Sequence, residues 1–226
     1  MSTITGTLSK EKSGTAVPGV RAFIRGAIWA LPVWAAMLFL GTLTHQPDPQ
    51  TDFASFAAYV TTKQFLLSHL VNSIGGAAIG SIGVIALALY LQDSKSAGKA
   101  ITGMVATVIG NTLTSSVFGA AAFAQTAAGQ AYLAGQPNAL DFYNRVYSAP
   151  LLGTVLMGLL LFIIGGIFNG IAIAASGRFP RWVGWVYAAT VAGFVLSNFI
   201  IPVGQSPMSA LLFVSTVVIG WSTSRN

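Results

Sequence analysis

The stretch Gln64–Leu91, QFLLSHLVNSIGGAAIGSIGVIALALYL, decides the fold. It is longer than the roughly 20 apolar residues that a helix needs to cross a hydrocarbon core of about 30 Å. His69 is its only ionisable residue before Tyr90. Gly76 and Gly80 have the GxxxG spacing that lets membrane helices approach closely. The stretch is therefore predicted to span a membrane and to pack through a glycine-rich face.

The composition of the whole chain points the same way. Of the 226 residues, 54% are hydrophobic and 7% are charged, whereas about a quarter of a soluble domain is charged. The chain contains no cysteine, which excludes disulfides, thiolate nucleophiles and sulfur ligands to metals. We predict an all-α polytopic membrane protein that forms one bundle.

Six apolar runs are long enough to be considered as transmembrane helices. The first is interpreted as an uncleaved helix with a kink at Pro32. Residues 1–20 are predicted to be a flexible tail, and residues 21–226 a single six-helix transmembrane domain. The predicted helices cover residues 22–43, 64–91, 100–124, 149–176, 182–202 and 208–221.

The two longer connections, residues 44–63 and 125–148, carry most of the aromatic residues outside the helices. Phe53, Phe56 and Tyr59 have helical spacing after Asp52, which can cap a helix. We expect a short helix in the membrane interface, and an irregular loop remains the alternative. The tyrosines of the second connection are expected in an aromatic belt at the headgroups.

Lysine and arginine are distributed unequally between the two sides of this topology. Six helices put both termini on one side, together with nine of the eleven basic residues. By the positive-inside rule both termini are expected in the cytoplasm, and the two longer connections outside, in the inner membrane of a bacterium. Because topology explains the net charge of +6, nucleic-acid binding is not expected. The nine residues are Lys10, Lys12, Arg21, Arg25, Lys95, Lys99, Arg178, Arg181 and Arg225.

The motif IGGxxxG occurs twice, and it predicts the seams through which helices pack. It places Gly76 and Gly80 in the second helix, and Gly166 and Gly170 in the fourth. Each of these helices precedes a basic turn and a helix with an asparagine. Two explanations are open. The second and third helices form a pseudo-repeat with the fourth and fifth, or a motif that is common in membrane helices recurs by chance.

The predicted helices carry few reactive groups. No aspartate, glutamate, lysine or arginine lies at membrane depth, apart from Arg25 near the end of the first helix, and no catalytic or metal-binding motif is present. We therefore predict no catalytic residues and no metal site.

The remaining polar residues suggest one cluster in the outer leaflet, formed by His69, Asn72, Ser115 and Asn198. This cluster is either a binding site or a set of hydrogen bonds between helices. His69 could also ligate a haem or pigment, although haem sites between helices often use two histidines and His45 lies in a connection.

Three classes of function are compatible with these residues. The leading hypothesis is a non-catalytic membrane protein, either an accessory subunit of a larger membrane complex or a binder of a lipophilic molecule. The alternative is a small transporter or channel with an uncharged polar path. An intramembrane enzyme fits least well, because no acid is paired with a base.

Overall fold

A computed structural model describes residues 18–225, and all its regular elements are helices. The chain is an all-α membrane protein with six helices long and apolar enough to span a bilayer, which confirms the predicted fold class. We call these the first to sixth spans. They are Gly19–Gly41, Lys63–Leu91, Ala97–Leu133, Ala149–Ala175, Arg181–Ile200 and Pro202–Arg225.

The six spans form a closed ring in chain order. Each span packs against the next, and the sixth returns to pack against the first. The connection side is defined here as the end of the ring with residues 42–62 and 134–148, and the terminal side as the end with the turns 92–96 and 176–180. The predicted tail, residues 1–20, falls outside the described residues except for the start of the first helix at Pro18.

The first span is interrupted where the sequence predicts a kink. It consists of the helices Pro18–Ala27 and Ala30–Gly41. Pro32 has no amide hydrogen to donate to the carbonyl of Ile28, which instead accepts a 3.1 Å hydrogen bond from the Leu31 amide. The helix is thus interrupted at the predicted place, and the broken turn lies just before the proline.

Two spans contain π-helical segments near the connection side. In the second span, Ser68–Gly75 is π-helical between the α-helices Lys63–Leu67 and Gly76–Leu91. In the third, Ala121–Gln125 interrupts the helix between Ala97–Ala120 and Thr126–Leu133. Such segments are rare in α-helices and often occur at functional sites.

The third span corrects the predicted end near residue 124. It continues to Leu133, and its 37 residues give a length of about 55 Å, well beyond a hydrocarbon core of about 30 Å. The sixth span is also longer than predicted, because its α-helix covers Gln205–Arg225. In both cases alanine, serine and threonine continue the helix after the apolar run becomes weaker.

The extended end of the third span supports two short helices on the connection side, Phe53–Val60 and Ala139–Val146, which together are called the cap. The predicted helix in the first connection is present at Phe53–Val60, and Asp52 accepts a hydrogen bond from the Ser55 amide. The hydroxyl of Ser55 also donates to this carboxylate, and these bonds lower the pKa of Asp52. A second short helix, Ala139–Val146, packs against the same end of the third span.

The cap buries several of its aromatic side chains against protein. Phe56, Val60 and Phe65 are fully buried. Tyr143 contacts Phe56 with ring centroids 5.2 Å apart. The Tyr147 hydroxyl accepts a 2.7 Å hydrogen bond from Gln125 Nε2. A short helix that would be marginal alone in water is stabilised when its apolar face packs on protein. The same apolar spacing would suit a helix that lies in the membrane interface, so the sequence pattern does not distinguish these two environments.

The four glycines of the repeated motif lie at helix contacts, but with different neighbours. A Cβ atom at Gly80 would lie 2.8 Å from Cγ of Trp34 in the first span, whereas one at Gly170 would lie 2.5 Å from the Gly184 carbonyl oxygen in the fifth. Gly76 likewise faces the first span and Gly166 the fifth. The motif thus faces the preceding span in one helix and the following span in the other, which is not the equivalence that a pseudo-repeat requires.

Candidate functional site

A cavity of about 280 Å³ lies inside the ring, towards the connection side. Every span contributes to its wall, so the cavity belongs to the closed ring and not to any pair of helices. Its volume is close to the lower end of the range of about 300–1,000 Å³ that is typical of small-molecule sites. The lining residues are Trp34, Met37, Leu38, Gly41, Thr42, Asn72, Ser73, Ala77, Asn111, Thr114, Phe118, Val155, Leu159, Phe162, Phe194, Val195, Asn198 and Gln205.

The floor of the cavity is aromatic. Trp34 and Phe162 meet edge to face with centroids 5.7 Å apart. Beyond them towards the terminal side, buried side chains such as Leu31, Leu87 and Ile173 fill the centre of the bundle. The cavity therefore ends about halfway through the ring, at the level of Trp34.

The π-helical segment of the second span contributes the polar wall. Asn72 and Ser73 both belong to it, and both line the cavity. Neither side chain makes a hydrogen bond to another residue between 18 and 225, so their polar groups remain available to a ligand. The extra residue per turn in a π-helix changes the direction of the side chains that follow it.

Asn111 is the deepest polar residue of the cavity. Its Nδ2 donates to the Ala77 carbonyl oxygen at 3.0 Å and to Ser81 Oγ at 3.1 Å. The residue is only 4% exposed. These bonds tie the third span to the second and fix the orientation of the amide.

The opening of the cavity is formed where the fifth and sixth spans meet the first. Asn198 Oδ1 accepts a 3.4 Å hydrogen bond from Gln205 Nε2. Thr42 Oγ1 and Ser206 Oγ are hydrogen-bonded at 2.8 Å. Next to these polar groups, Ile200 at the end of the fifth span and Val203 at the start of the sixth are 71% and 78% exposed. This side of the opening is thus bordered by apolar surface, whereas the cap covers the opposite side.

The four polar residues predicted as one cluster are divided by this geometry. Asn72 and Asn198 line the cavity, and His69 and Ser115 are not among its lining residues. His69 Nδ1 lies 3.0 Å from the Phe65 carbonyl oxygen, so Nδ1 carries the proton and Nε2 is left without a described partner. Its ring contacts that of Phe65 with centroids 4.2 Å apart and the two ring planes tilted by 41°. A pigment ligated by His69 would therefore lie outside the cavity.

Asn169 belongs to a packing contact on the terminal side. Its Nδ2 donates to Thr107 Oγ1 at 3.2 Å, while its Oδ1 is buried without a hydrogen-bond partner among the described residues. This oxygen lies against Gly103, where a side chain would not fit. The contact joins the third and fourth spans, and Asn169 is not among the residues that line the cavity.

Three polar residues that line the cavity, Asn111, Thr114 and Gln205, are not part of the site predicted from the sequence. The GNTLTSS stretch of the third span is the most polar membrane segment in the chain. That polarity was the available signal, because polar residues within spans usually face the bundle interior or a cavity. Only the rotation of each helix shows which of these residues share one space.

No protein-family model, no curated protein and no solved structure matches this chain. Among residues 18–225, no three histidine, cysteine, aspartate or glutamate side chains come together to hold a metal ion. The fold and the cavity define the class as a six-span membrane protein with a central apolar cavity. Its function is therefore argued from the chemistry of the cavity.

Proposed function

We propose that this protein binds a small, uncharged, mainly apolar molecule in the cavity inside its six-span ring. The observation that carries the proposal is the lining itself, which combines aromatic and aliphatic side chains with a few amides and hydroxyls. Small-molecule sites are usually apolar cavities in which a few polar groups fix the orientation of the ligand. Among residues 18–225 no ionisable side chain lines this cavity, so a charged ligand would lose its hydration without gaining a counter-charge.

Binding is favoured over transport by the shape of the cavity. A transporter alternates between openings on the two sides of the membrane. Here the floor formed by Trp34 and Phe162 is backed by the packed half of the ring. The cavity is closed at its floor and lies next to the exposed apolar residues that join the fifth and sixth spans. This arrangement suits a molecule that enters from the connection side or from the adjacent bilayer.

The proposal is tested by identifying what the purified full-length protein retains. Leu159→Trp introduces a larger side chain into the cavity wall, and Leu160→Trp makes the same change at the neighbouring position, which is 51% exposed on the outer surface. We expect mass spectrometry of solvent extracts to detect a small molecule with the wild type and with Leu160→Trp. The same molecule should be reduced at least about tenfold with Leu159→Trp. Equal retention by all three proteins would contradict a ligand in the cavity.

We also propose that the terminal side faces the cytoplasm of a bacterial cell and that the protein lies in the inner membrane. Seven of the nine lysine and arginine residues between 18 and 225 lie on that side, which supports this orientation through the positive-inside rule. Gln92 lies in a turn on the terminal side, Gln136 lies in the second connection, and both are exposed.

The orientation is tested with single cysteines, since the chain has none of its own. A membrane-impermeant maleimide added to intact cells should label Gln136→Cys. It should label Gln92→Cys only after the membrane is opened. The reverse pattern would show that the termini face outward.

A further inference from the structure

We propose that the ligand carries an uncharged hydrogen-bond donor, such as a hydroxyl or an amide N–H, and that it binds with this group directed at Asn111 Oδ1. This inference rests on the proposed function and specifies the chemical class of the ligand. The evidence is the set of hydrogen bonds that the polar side chains at the deep end of the cavity already donate to the protein.

The amide of Asn111 has only one orientation that fits its surroundings. The Ala77 carbonyl oxygen, 3.0 Å from Nδ2, can only accept a hydrogen bond. Ser81 Oγ donates its own hydrogen to that same carbonyl at 2.8 Å, so Ser81 also acts as an acceptor towards Nδ2. Nδ2 therefore faces the second span, and Oδ1 points away from it.

The oxygen of this amide remains an open acceptor. It makes no hydrogen bond with any described residue. Among the described residues, the buried side-chain atoms that are both shielded from solvent and without a hydrogen bond are Ser96 Oγ, Gln125 Oε1 and Asn169 Oδ1. Asn111 Oδ1 is not one of them, so this oxygen has accessible surface. Since Asn111 is only 4% exposed and lines the cavity, the accessible surface of Oδ1 opens into the cavity.

Thr114, one helical turn away, reinforces this selectivity. Its hydroxyl donates to the carbonyl oxygens of Gly110 at 3.0 Å and Asn111 at 3.2 Å. Its hydrogen is therefore used within the helix, and only its lone pairs are left for the cavity. The two deep polar groups thus present acceptor atoms to the cavity, whereas Asn72 and Ser73 nearer the opening can donate or accept.

The absence of a counter-charge in the lining favours a neutral donor over a cationic one. Four aromatic residues, Trp34, Phe118, Phe162 and Phe194, line the cavity and could attract a cation through their rings. However, an ammonium group would still have to leave water without meeting a carboxylate. A hydroxyl or amide loses far less hydration and gains the hydrogen bond to Oδ1.

The test compares ligands of equal size on one protein. Trp34 is the only tryptophan that is buried, and the other four are at least 37% exposed. Replacing Trp29, Trp182, Trp185 and Trp221 by phenylalanine leaves Trp34 as a fluorescent reporter in the floor of the cavity. The full-length reporter protein is titrated with octan-1-ol, with its isomer heptyl methyl ether, and with octylammonium chloride.

We expect octan-1-ol to change the Trp34 emission with an affinity about three- to tenfold higher than that of the ether, as one hydrogen bond predicts. Octylammonium should bind more weakly than the alcohol. In the reporter protein, Asn111→Leu should abolish the preference for the alcohol, while Thr112→Val, at an exposed position of the same helix, should retain it.

The outcomes separate this inference from the proposed function. Equal affinity for the alcohol and the ether, abolished for both by Leu159→Phe, which enlarges the cavity wall without adding a second tryptophan, would overturn the donor inference and leave the cavity as a binding site. Tighter binding of octylammonium would overturn it in favour of a cation site. If none of the three probes gives a saturable signal that Leu159→Phe removes, the proposed function fails together with the inference. The comparison of isomers on the reporter protein does not depend on the folding of any Asn111 variant.

Discussion

Replacing Trp34 with alanine is expected to lower the free energy of unfolding by about 3–5 kcal/mol, as for other large-to-small changes at buried aromatic residues. The indole is 1% exposed and contacts Phe162 edge to face. It lies in a notch that exists because residue 80 is glycine, where a Cβ atom would be 2.8 Å from Cγ of the indole. Inside a membrane such packing contacts are a main source of stability, since lipid replaces water as the alternative environment.

The notch makes the prediction sharper, because the two positions should compensate each other. Gly80→Leu alone should destabilise the protein by about 1–3 kcal/mol, since the new side chain would overlap the indole. In the Trp34→Ala background the same leucine would instead occupy the space left by the indole. The double variant should therefore be more stable than the sum of the two single effects predicts, by about 0.5–3 kcal/mol.

Equilibrium unfolding in mixed micelles with increasing SDS would measure all four proteins of this cycle. Gly75→Leu is a useful control in the same helix, because a Cβ at that position meets its nearest neighbour at 3.4 Å and not the indole. Its effect should be the same in the wild-type protein and in the Trp34→Ala background. Strict additivity of Trp34→Ala and Gly80→Leu would contradict the packing described here.

Gly170→Ala is expected to destabilise the protein by about 1–3 kcal/mol, although the change adds a single methyl group. The added Cβ would lie 2.5 Å from the Gly184 carbonyl oxygen and 2.9 Å from the Ala188 amide nitrogen. Both are backbone atoms of the fifth span, so the conflict is relieved only by moving one helix away from the other. Close helix approach at small residues is what stabilises such pairs in a membrane.

The matched control for this prediction lies in the same helix. A Cβ atom added at Gly153 would have no neighbouring atom within 4 Å. Gly153→Ala should therefore be neutral or stabilise the helix by up to about 1 kcal/mol through its higher helix propensity. The same SDS titration measures both variants, and a loss of stability at residue 153 equal to that at residue 170 would rule out the steric explanation.

The number and order of the spans were predictable because both depend on local properties. A run of about 20 apolar residues matches the thickness of a bilayer wherever it occurs in a chain. The same holds for the kink, since Pro32 lacks the amide hydrogen that its helix needs. The helix after Asp52 was also predictable, because a cap and an apolar spacing lie within a few residues of each other.

The ends of the third and sixth spans were less predictable. Hydropathy falls after residue 124 because the chain becomes rich in alanine, glutamine and threonine. Alanine has the highest helix propensity of all residues, so the helix itself continues while the apolar run stops. Its last two turns then form a surface against which Phe56 and Val60 pack.

The candidate site was predictable only in part. Sequence polarity drew attention to Asn72 and Asn198, which do line the cavity, but it grouped them with His69 and Ser115. Depth along a helix follows from residue number, whereas the direction of a side chain around the helix also depends on local winding. The π-helical segment Ser68–Gly75 alters that winding where His69 and Asn72 lie.

The sequence by itself thus determined an all-helical membrane protein with six spans, no charged group deep in the membrane and glycine faces for packing. Tertiary structure alone decided that the spans close into a ring, that the two copies of IGGxxxG face different neighbours and that a blind cavity ends at Trp34. The physical reason is that membrane insertion depends on the hydropathy of each segment separately. A cavity depends on how six helices are rotated and spaced together, and that is set by contacts between residues far apart in the chain.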